Sequence, residues 1–293
     1  MARFGRVVTA MVTPFREDQS LDLDRAQEVA AWLADHGSDA LVVAGSTGEG
    51  ATLSDEEKAS LWRAVGDSVG DRAAVIAGAG TYDTAHSIHL AREAEKAGAT
   101  ALLIVTPYYN KPPQRGLIEH FSRVAASTGL SNIVYNIPGR TGTRIAHETL
   151  LRLAEVDNIV AVKDSTGDFE ALAKLIAEAP DGFEVYTGDD WATFGSVCLG
   201  ASGVISVASH VAGERMGQMI AQIEAGDLAG ARKINGELLP VYEALFITSN
   251  PIPVKRAMAL IGQPVGPPRL PLVEANDDET GRIEAALKEA GVL

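Results

Sequence analysis

Lys163 closes the apolar run Asn158-Ile159-Val160-Ala161-Val162-Lys163, so a buried strand here ends by carrying a lone amine into a pocket. A lysine amine, with a reference pKa near ~10.4, becomes a useful nucleophile near neutral pH only where desolvation or neighbouring positive charge disfavours its ammonium form. Buried nucleophilic lysines usually form Schiff bases with carbonyl substrates, which points to imine chemistry on a keto acid. A strand-end lysine reaching solvent is the plainer alternative, and position alone favours it. The residues at the other strand ends reverse that preference. They are Gly45-Ser46-Thr47-Gly48-Glu49, Thr106-Pro107-Tyr108-Tyr109-Asn110, Tyr135-Asn136-Ile137-Pro138-Gly139-Arg140-Thr141-Gly142, Lys163-Asp164-Ser165-Thr166-Gly167, Thr187-Gly188-Asp189-Asp190 and Gly203-Val204-Ile205-Ser206.

Positioning these groups requires a regular scaffold, and the hydrophobic pattern supplies one. Short β-branched or aliphatic runs recur at Val7 to Val12, Ala40 to Val43, Ala74 to Ile76, Ala101 to Val105, Ile133 to Asn136, Ile159 to Lys163, Phe183 to Thr187 and Gly203 to Val207. Each reads as a strand buried on both faces. Amphipathic helical stretches lie between them, with a capping box at Ser54-Asp55-Glu56-Glu57 and a start at Asp83-Thr84. Such an alternation predicts an α/β protein of the (β/α)8 TIM-barrel class over residues 1–225, its active site at the C-terminal strand ends. Residues 226–293 carry only helical patterns, at Ala229 to Phe246, Pro253 to Leu260 and Asp277 to Ala290, and are expected to form a C-terminal helical appendage. A doubly wound open sheet is the competitor, but Gly78-Ala79-Gly80-Thr81-Tyr82-Asp83 lacks the third glycine of a dinucleotide turn.

Composition narrows the partners. The 293 residues are 46% hydrophobic, enough for a sizeable core, and 25 Lys and Arg stand against 39 Asp and Glu for a net charge of −14. That balance works against any broad nucleic-acid or anionic-membrane surface, while leaving room for a local cationic pocket that takes a carboxylate. No apolar run approaches a membrane span, and the stretch from Met1 to Phe15 reads as a first strand and not as a signal peptide. With one cysteine, Cys198, the chain forms no internal disulfide and suits a reducing cytoplasm.

In order and spacing, the strand-end sequences together resemble the dihydrodipicolinate synthases, class I aldolase-like lyases that condense pyruvate with L-aspartate 4-semialdehyde on the route to diaminopimelate and lysine. The resemblance runs from Val7 to Leu293. It implies that Lys163 forms the Schiff base with pyruvate, that Tyr135 is the general acid and base, and that Ser46 and Tyr109 complete a proton relay. Ser46 stands where the family more often has threonine, keeping the hydroxyl but losing a methyl that restrains it. Thr47 is implied to hold the pyruvate carboxylate, the backbone of Ile205 to touch the same substrate, and Gly188 to give backbone room. Arg140 is implied to orient the carboxylate of the semialdehyde, which a guanidinium pairs bidentately. No cofactor or metal is implied. Tyr109 is implied to enter a neighbouring subunit's site, within a homotetramer built as a dimer of dimers. Lysine-sensitive members bind their effector at positions matching Gly50, Ala51, Asp55, Lys58, Tyr82, His86 and Tyr108. Lys58, Tyr82 and His86 depart from the sensitive pattern, so inhibition by lysine is expected to be weak or absent, with Asp55 able to pair with Lys58.

Plainer readings stand beside several of these residues. Tyr108 is either a packed ring or a site residue. His86 and His89, three apart on one helix, read as solvated residues and not metal ligands. Cys198 reads as a small core residue. The competing functions are a pyruvate-dependent sugar-acid aldolase of the sialic acid lyase or 2-keto-3-deoxy acid type, and a non-catalytic keto-acid-binding oligomer. Arg140 speaks against the first, and the intact lysine, tyrosines and hydroxyls against the second.

Overall fold

The computed structural model describes residues 2–293; Met1, at the head of the N-terminal stretch, lies outside them. The first half of the chain runs β1 (Val7–Ala10), α1 (Leu23–Asp35), β2 (Ala40–Val43), α2 (Asp55–Val69), β3 (Ala74–Gly78), α3 (Thr84–Lys96), β4 (Ala101–Val105) and α4 (Gln114–Ala125). It continues with β5 (Ser131–Asn136), α5 (Pro138–Thr141), α6 (His147–Ala154), β6 (Ile159–Asp164), α7 (Phe169–Glu178), β7 (Glu184–Thr187), α8 (Thr193–Cys198), β8 (Gly203–Ser206) and α9 (Ser209–Glu224). Three helices follow, α10 (Leu228–Ala244), α11 (Ile252–Leu260) and α12 (Asp277–Glu289). The strands pair in chain order, all parallel, and β8 returns to β1 to close the barrel. Gly203 permits that closure, because a Cβ there would run into the Arg6 carbonyl of the incoming strand.

Alternation along the strands splits the apolar residues into two sets. Val8, Val42, Ile76, Leu103, Ile133, Ala161 and Ile205 fill the barrel, while Val7, Val43, Val75, Val134, Val162 and Val204 face the helices. The same parity turns Tyr135 and Lys163, each two residues beyond an interior position, into the barrel mouth. The other end is closed by Tyr186, whose hydroxyl donates to Glu184 Oε2 at 2.9 Å.

Two strands stop short of the lengths read from the sequence, each because an amide finds a side-chain partner. The Val12 N–H donates to His210 Nε2 at 3.1 Å, which takes it out of the ladder. Val207 N–H likewise leaves β8 for the Asp190 carboxylate at 3.2 Å. Ser54 and Glu57 make the expected reciprocal cap on α2, and Asp83 caps α3. Cys198 corrects the sequence reading: it is exposed and not in the core. The short α8 buries Thr193 and Ser196 instead, three apart on one face, and Cys198 falls on another. In the C-terminal region α10 packs on α9 and α12, and α11 on α12 and α9.

Candidate active site

Cross-links between β5 and β6 fix the candidate pair, Tyr135 and Lys163. Tyr135 is directly beside Lys163 in register, and its carbonyl accepts from both the Thr106 N–H at 2.9 Å and the Thr106 hydroxyl at 2.7 Å. One residue on, Asn136 Nδ2 donates to Asp164 Oδ2 at 3.0 Å, and Thr166 Oγ1 donates to the other Asp164 oxygen at 2.6 Å. The strand ends therefore hold still. Lys163, only 5% exposed, lays Nζ 4.3 Å from the centre of the Tyr135 ring, and no carboxylate pairs with it among the described residues. Gly188 leaves space for the lysine itself: a Cβ there would fall 2.6 Å from Lys163 Cε and closer still to Ser165 Oγ. Gly188, which the resemblance implies gives the backbone room, makes room first of all for the Lys163 side chain.

The turn after β2 carries the anion-binding candidates. Ala44 and Glu49 both take left-handed backbone, at φ +59° and +53°, which folds Gly45–Gly50 back on the strand end. Thr47 is buried, and its hydroxyl accepts from Asn250 Nδ2 at 2.9 Å. Asn250 also offers its carbonyl to Arg140 Nη2 at 3.3 Å, while its buried Oδ1 has no partner among the described residues. Asn250 thus bridges the two residues expected to receive carboxylates. The sequence reading passed over it; Asn250-Pro251-Ile252-Pro253 signals a turn but not what the turn meets.

A cavity of about 530 Å³ opens at this end of the barrel. Ser46, Tyr135 and Arg140 line it, together with Tyr108 and Asn250. Lys163, Thr47, Gly188 and Ile205 stand behind the wall; Ile205 is wholly buried in the barrel interior. Tyr109 is apart from all of them, 91% exposed at φ +73°. Within one chain no hydrogen bond joins Tyr135, Ser46 and Tyr109 among the described residues.

The outer part of the cavity brings together Gly50, Ala51, Asp55, Lys58, Tyr82, His86 and Tyr108. Asp55 is paired differently from the sequence expectation: its carboxylate meets His86 Nε2 at 2.9 Å, with His89 at 3.5 Å, and Lys58 has no ion-pair partner among the described residues. Burial lowers the Lys58 pKa, with Asp55 acting weakly against it. Tyr108 is half-buried, its ring edge-on to Tyr82 at 5.3 Å, and burial raises its pKa. Behind Lys163 stand two acids that the sequence reading names at a strand end but gives no role. Burial pushes the Asp189 pKa up to about 6, with Lys163 pulling it back. Asp190 is buried and accepts from Ser206 Oγ at 2.5 Å and the Ala208 N–H at 2.9 Å, fixing the end of β8. Their position directly after strand β7 was the available signal.

Comparison with known proteins agrees with this geometry. The sequence model of the Dihydrodipicolinate synthetase family matches residues 3–290. The 4-hydroxy-tetrahydrodipicolinate synthase of Moorella thermoacetica is 54% identical over 291 residues, covering 99% of this chain and 100% of that protein. Among solved structures, the dihydrodipicolinate synthase of Cyanidioschyzon merolae with lysine bound superposes with a TM-score of 0.98 at 42% identity, over 100% of both chains. The chloride-inhibited enzyme of Acinetobacter baumannii, complexed with pyruvate, superposes with a TM-score of 0.96 at 37% identity, over 99% of this chain and 100% of that one.

Proposed function

The chain belongs to the dihydrodipicolinate synthetase family, and we propose that it catalyses the 4-hydroxy-tetrahydrodipicolinate synthase reaction, condensing pyruvate with L-aspartate 4-semialdehyde as a Schiff-base-forming lyase of the class I aldolase type. The observation that carries this is the placement of Lys163, buried against the Tyr135 ring at the barrel mouth with no carboxylate in ion-pair contact among the described residues. Its amine nitrogen adds to the pyruvate ketone carbon, the ketone oxygen leaves as water, and loss of a methyl proton gives the enamine that attacks the aldehyde carbon. The protonated imine is itself the electron sink, so the chemistry needs no cofactor.

Tyr135 moves the protons, passing them through Ser46 and a Tyr109 supplied by the neighbouring subunit of a homotetramer. Thr47 receives the pyruvate carboxylate at its hydroxyl and backbone amide, the Ile205 backbone borders the same substrate, and Arg140 orients the semialdehyde carboxylate. Gly188 keeps the backbone clear of the reacting end of Lys163. Free lysine is a poor ligand of the outer cavity, where Lys58 faces an incoming ammonium and the Asp55 carboxylate is already engaged by His86 Nε2. No helix among the described residues is long and apolar enough to cross a membrane, in keeping with our placing the enzyme in the cytoplasm.

Pyruvate with borohydride tests the assignment against two other buried lysines, Lys58 and Lys255. One reduced adduct at Lys163, abolished by Lys163→Ala, is expected. A coupled assay should show turnover with the semialdehyde and none with sugar-acid substrates. An adduct on Lys58 or Lys255 with Lys163 unmodified would overturn the mechanism.

A further inference from the structure

Two residues beyond Thr47, Glu49 meets Lys255 of α11 in an ion pair of 2.6 Å whose side chains are 1% and 3% exposed. The pair is anchored on both sides. Glu49 Oε2 accepts from the Arg269 N–H at 2.8 Å, and Lys255 Nζ donates to the Pro267 carbonyl at 3.1 Å. Lys255 Nζ and Arg269 Cζ lie 4.5 and 4.3 Å from the centre of the Phe15 ring. One short segment, Asn250 to Lys255, thereby grips the turn twice, through Asn250 on Thr47 and through Lys255 on Glu49.

The turn needs gripping. A non-glycine residue in left-handed backbone persists only where its surroundings hold it, and Glu49 is in that region at φ +53°. The chain is packed so closely that a Cβ on Gly50 would strike the Ala44 carbonyl. A buried ion pair is a poor source of net stability compared with an apolar pair of equal volume, because both charges must leave water. The directional bonds that flank the pair, from the Arg269 N–H to Glu49 Oε2 and from Lys255 Nζ to the Pro267 carbonyl, do something an apolar pair does not: they fix where its atoms sit.

We propose that Glu49 and Lys255 are positioning residues for pyruvate, a latch that holds the strained turn so that Thr47 presents its hydroxyl and amide to the substrate carboxylate. The proposal rests on the reading of Lys163 and Thr47 given above. Neither latch residue touches substrate; both act through Thr47.

Steady-state rates and pyruvate trapping, compared for the wild type, Glu49→Gln, Lys255→Met and the double variant, test the latch. Each single change should raise the pyruvate KM by ~10-fold or more, with kcat at saturating pyruvate within about 3-fold and the semialdehyde KM within about 2-fold. The double variant should recover the thermal midpoint lost by the singles, because no charge is left buried alone, while its pyruvate KM stays high. Recovery of both, or a pyruvate KM within about 2-fold of wild type in any folded variant, overturns the latch. Glu49→Asp, which keeps the charge, should lie between wild type and Glu49→Gln. Should none of these variants fold, hydrogen exchange on the wild type decides: the borohydride-reduced pyruvate adduct should slow exchange at Thr47–Gly50 and at Val254–Lys255 together. Protection of the turn alone overturns the proposal. Failure of the wild type to form any pyruvate adduct would sink the functional reading instead, a result separate from the variant comparison.

Discussion

At the scale of single residues, strand parity and one glycine set where the Lys163 amine sits. The placement of Tyr135 and Lys163 at strand ends was legible from the apolar runs that carry them, but their inward direction was not, because a strand buried on both faces shows no alternation in its sequence. The occupant of the gap at Gly188 was not legible, since it depends on the register of β6 against β7, which brings Lys163 beside Tyr186 and its side chain over Gly188. Gly188→Ala makes this testable. The added methyl would lie 2.6 Å from Lys163 Cε, so the amine must shift while the strand stays paired. A displacement of about 1 Å can cost ~10²-fold in rate, and pyruvate trapping by Gly188→Ala should slow by that order with the fold retained. Trapping at the wild-type rate would show that Lys163 has slack to spare. Asn250 was missed for a related reason: its partners Thr47 and Arg140 lie far away in sequence, and no local pattern announces a contact of that range.

Among the elements, the barrel and its order were readable from eight apolar runs, whereas the strand ends were set by side chains from elsewhere. His210 on α9 is the clearest instance. Its Nε2 faces the Val12 N–H, which can only donate, and its Nδ1 faces the Val207 carbonyl at 2.8 Å, which can only accept. The ring is therefore neutral with its proton on Nδ1, and it ties the end of β1 to the end of β8. Burial lowers its pKa to about 4. An unfolded histidine titrates near ~6.5, so the unfolded chain takes up the proton first; this contribution is complete above that pH and is lost as pH falls toward 4. Between pH 7 and 5 the loss amounts to about 2 kcal/mol for one such group. His210→Gln should be less stable at pH 7 yet lose correspondingly less on acidification, as read from denaturant midpoints at the two pH values. Parallel acid limbs for variant and wild type would remove His210 from this role.

For the molecule as a whole, Tyr109 stands apart from its own chain's site, its ring 91% exposed on left-handed backbone. Sequence gave the residue but only family resemblance gave it a destination, because nothing in one chain encodes what its surface meets. If Tyr109 serves a neighbour, Tyr109→Phe and Lys163→Ala proteins reassembled together should exceed the summed activity of the parents, since hybrids pair an intact lysine with an intact tyrosine. Random pairing restores about a quarter of all sites. No gain, with hybrids verified by mass, would return Tyr109 to its own subunit. The hydrogen bond from Asn250 to Thr47 spans 203 residues, and its length along the chain has a bearing on synthesis. On the ribosome Lys163 and Tyr135 emerge well before residue 250 leaves the exit tunnel. A nascent or prematurely released polypeptide that stops short of residue 250 then has the amine of Lys163 while Thr47 is still unheld.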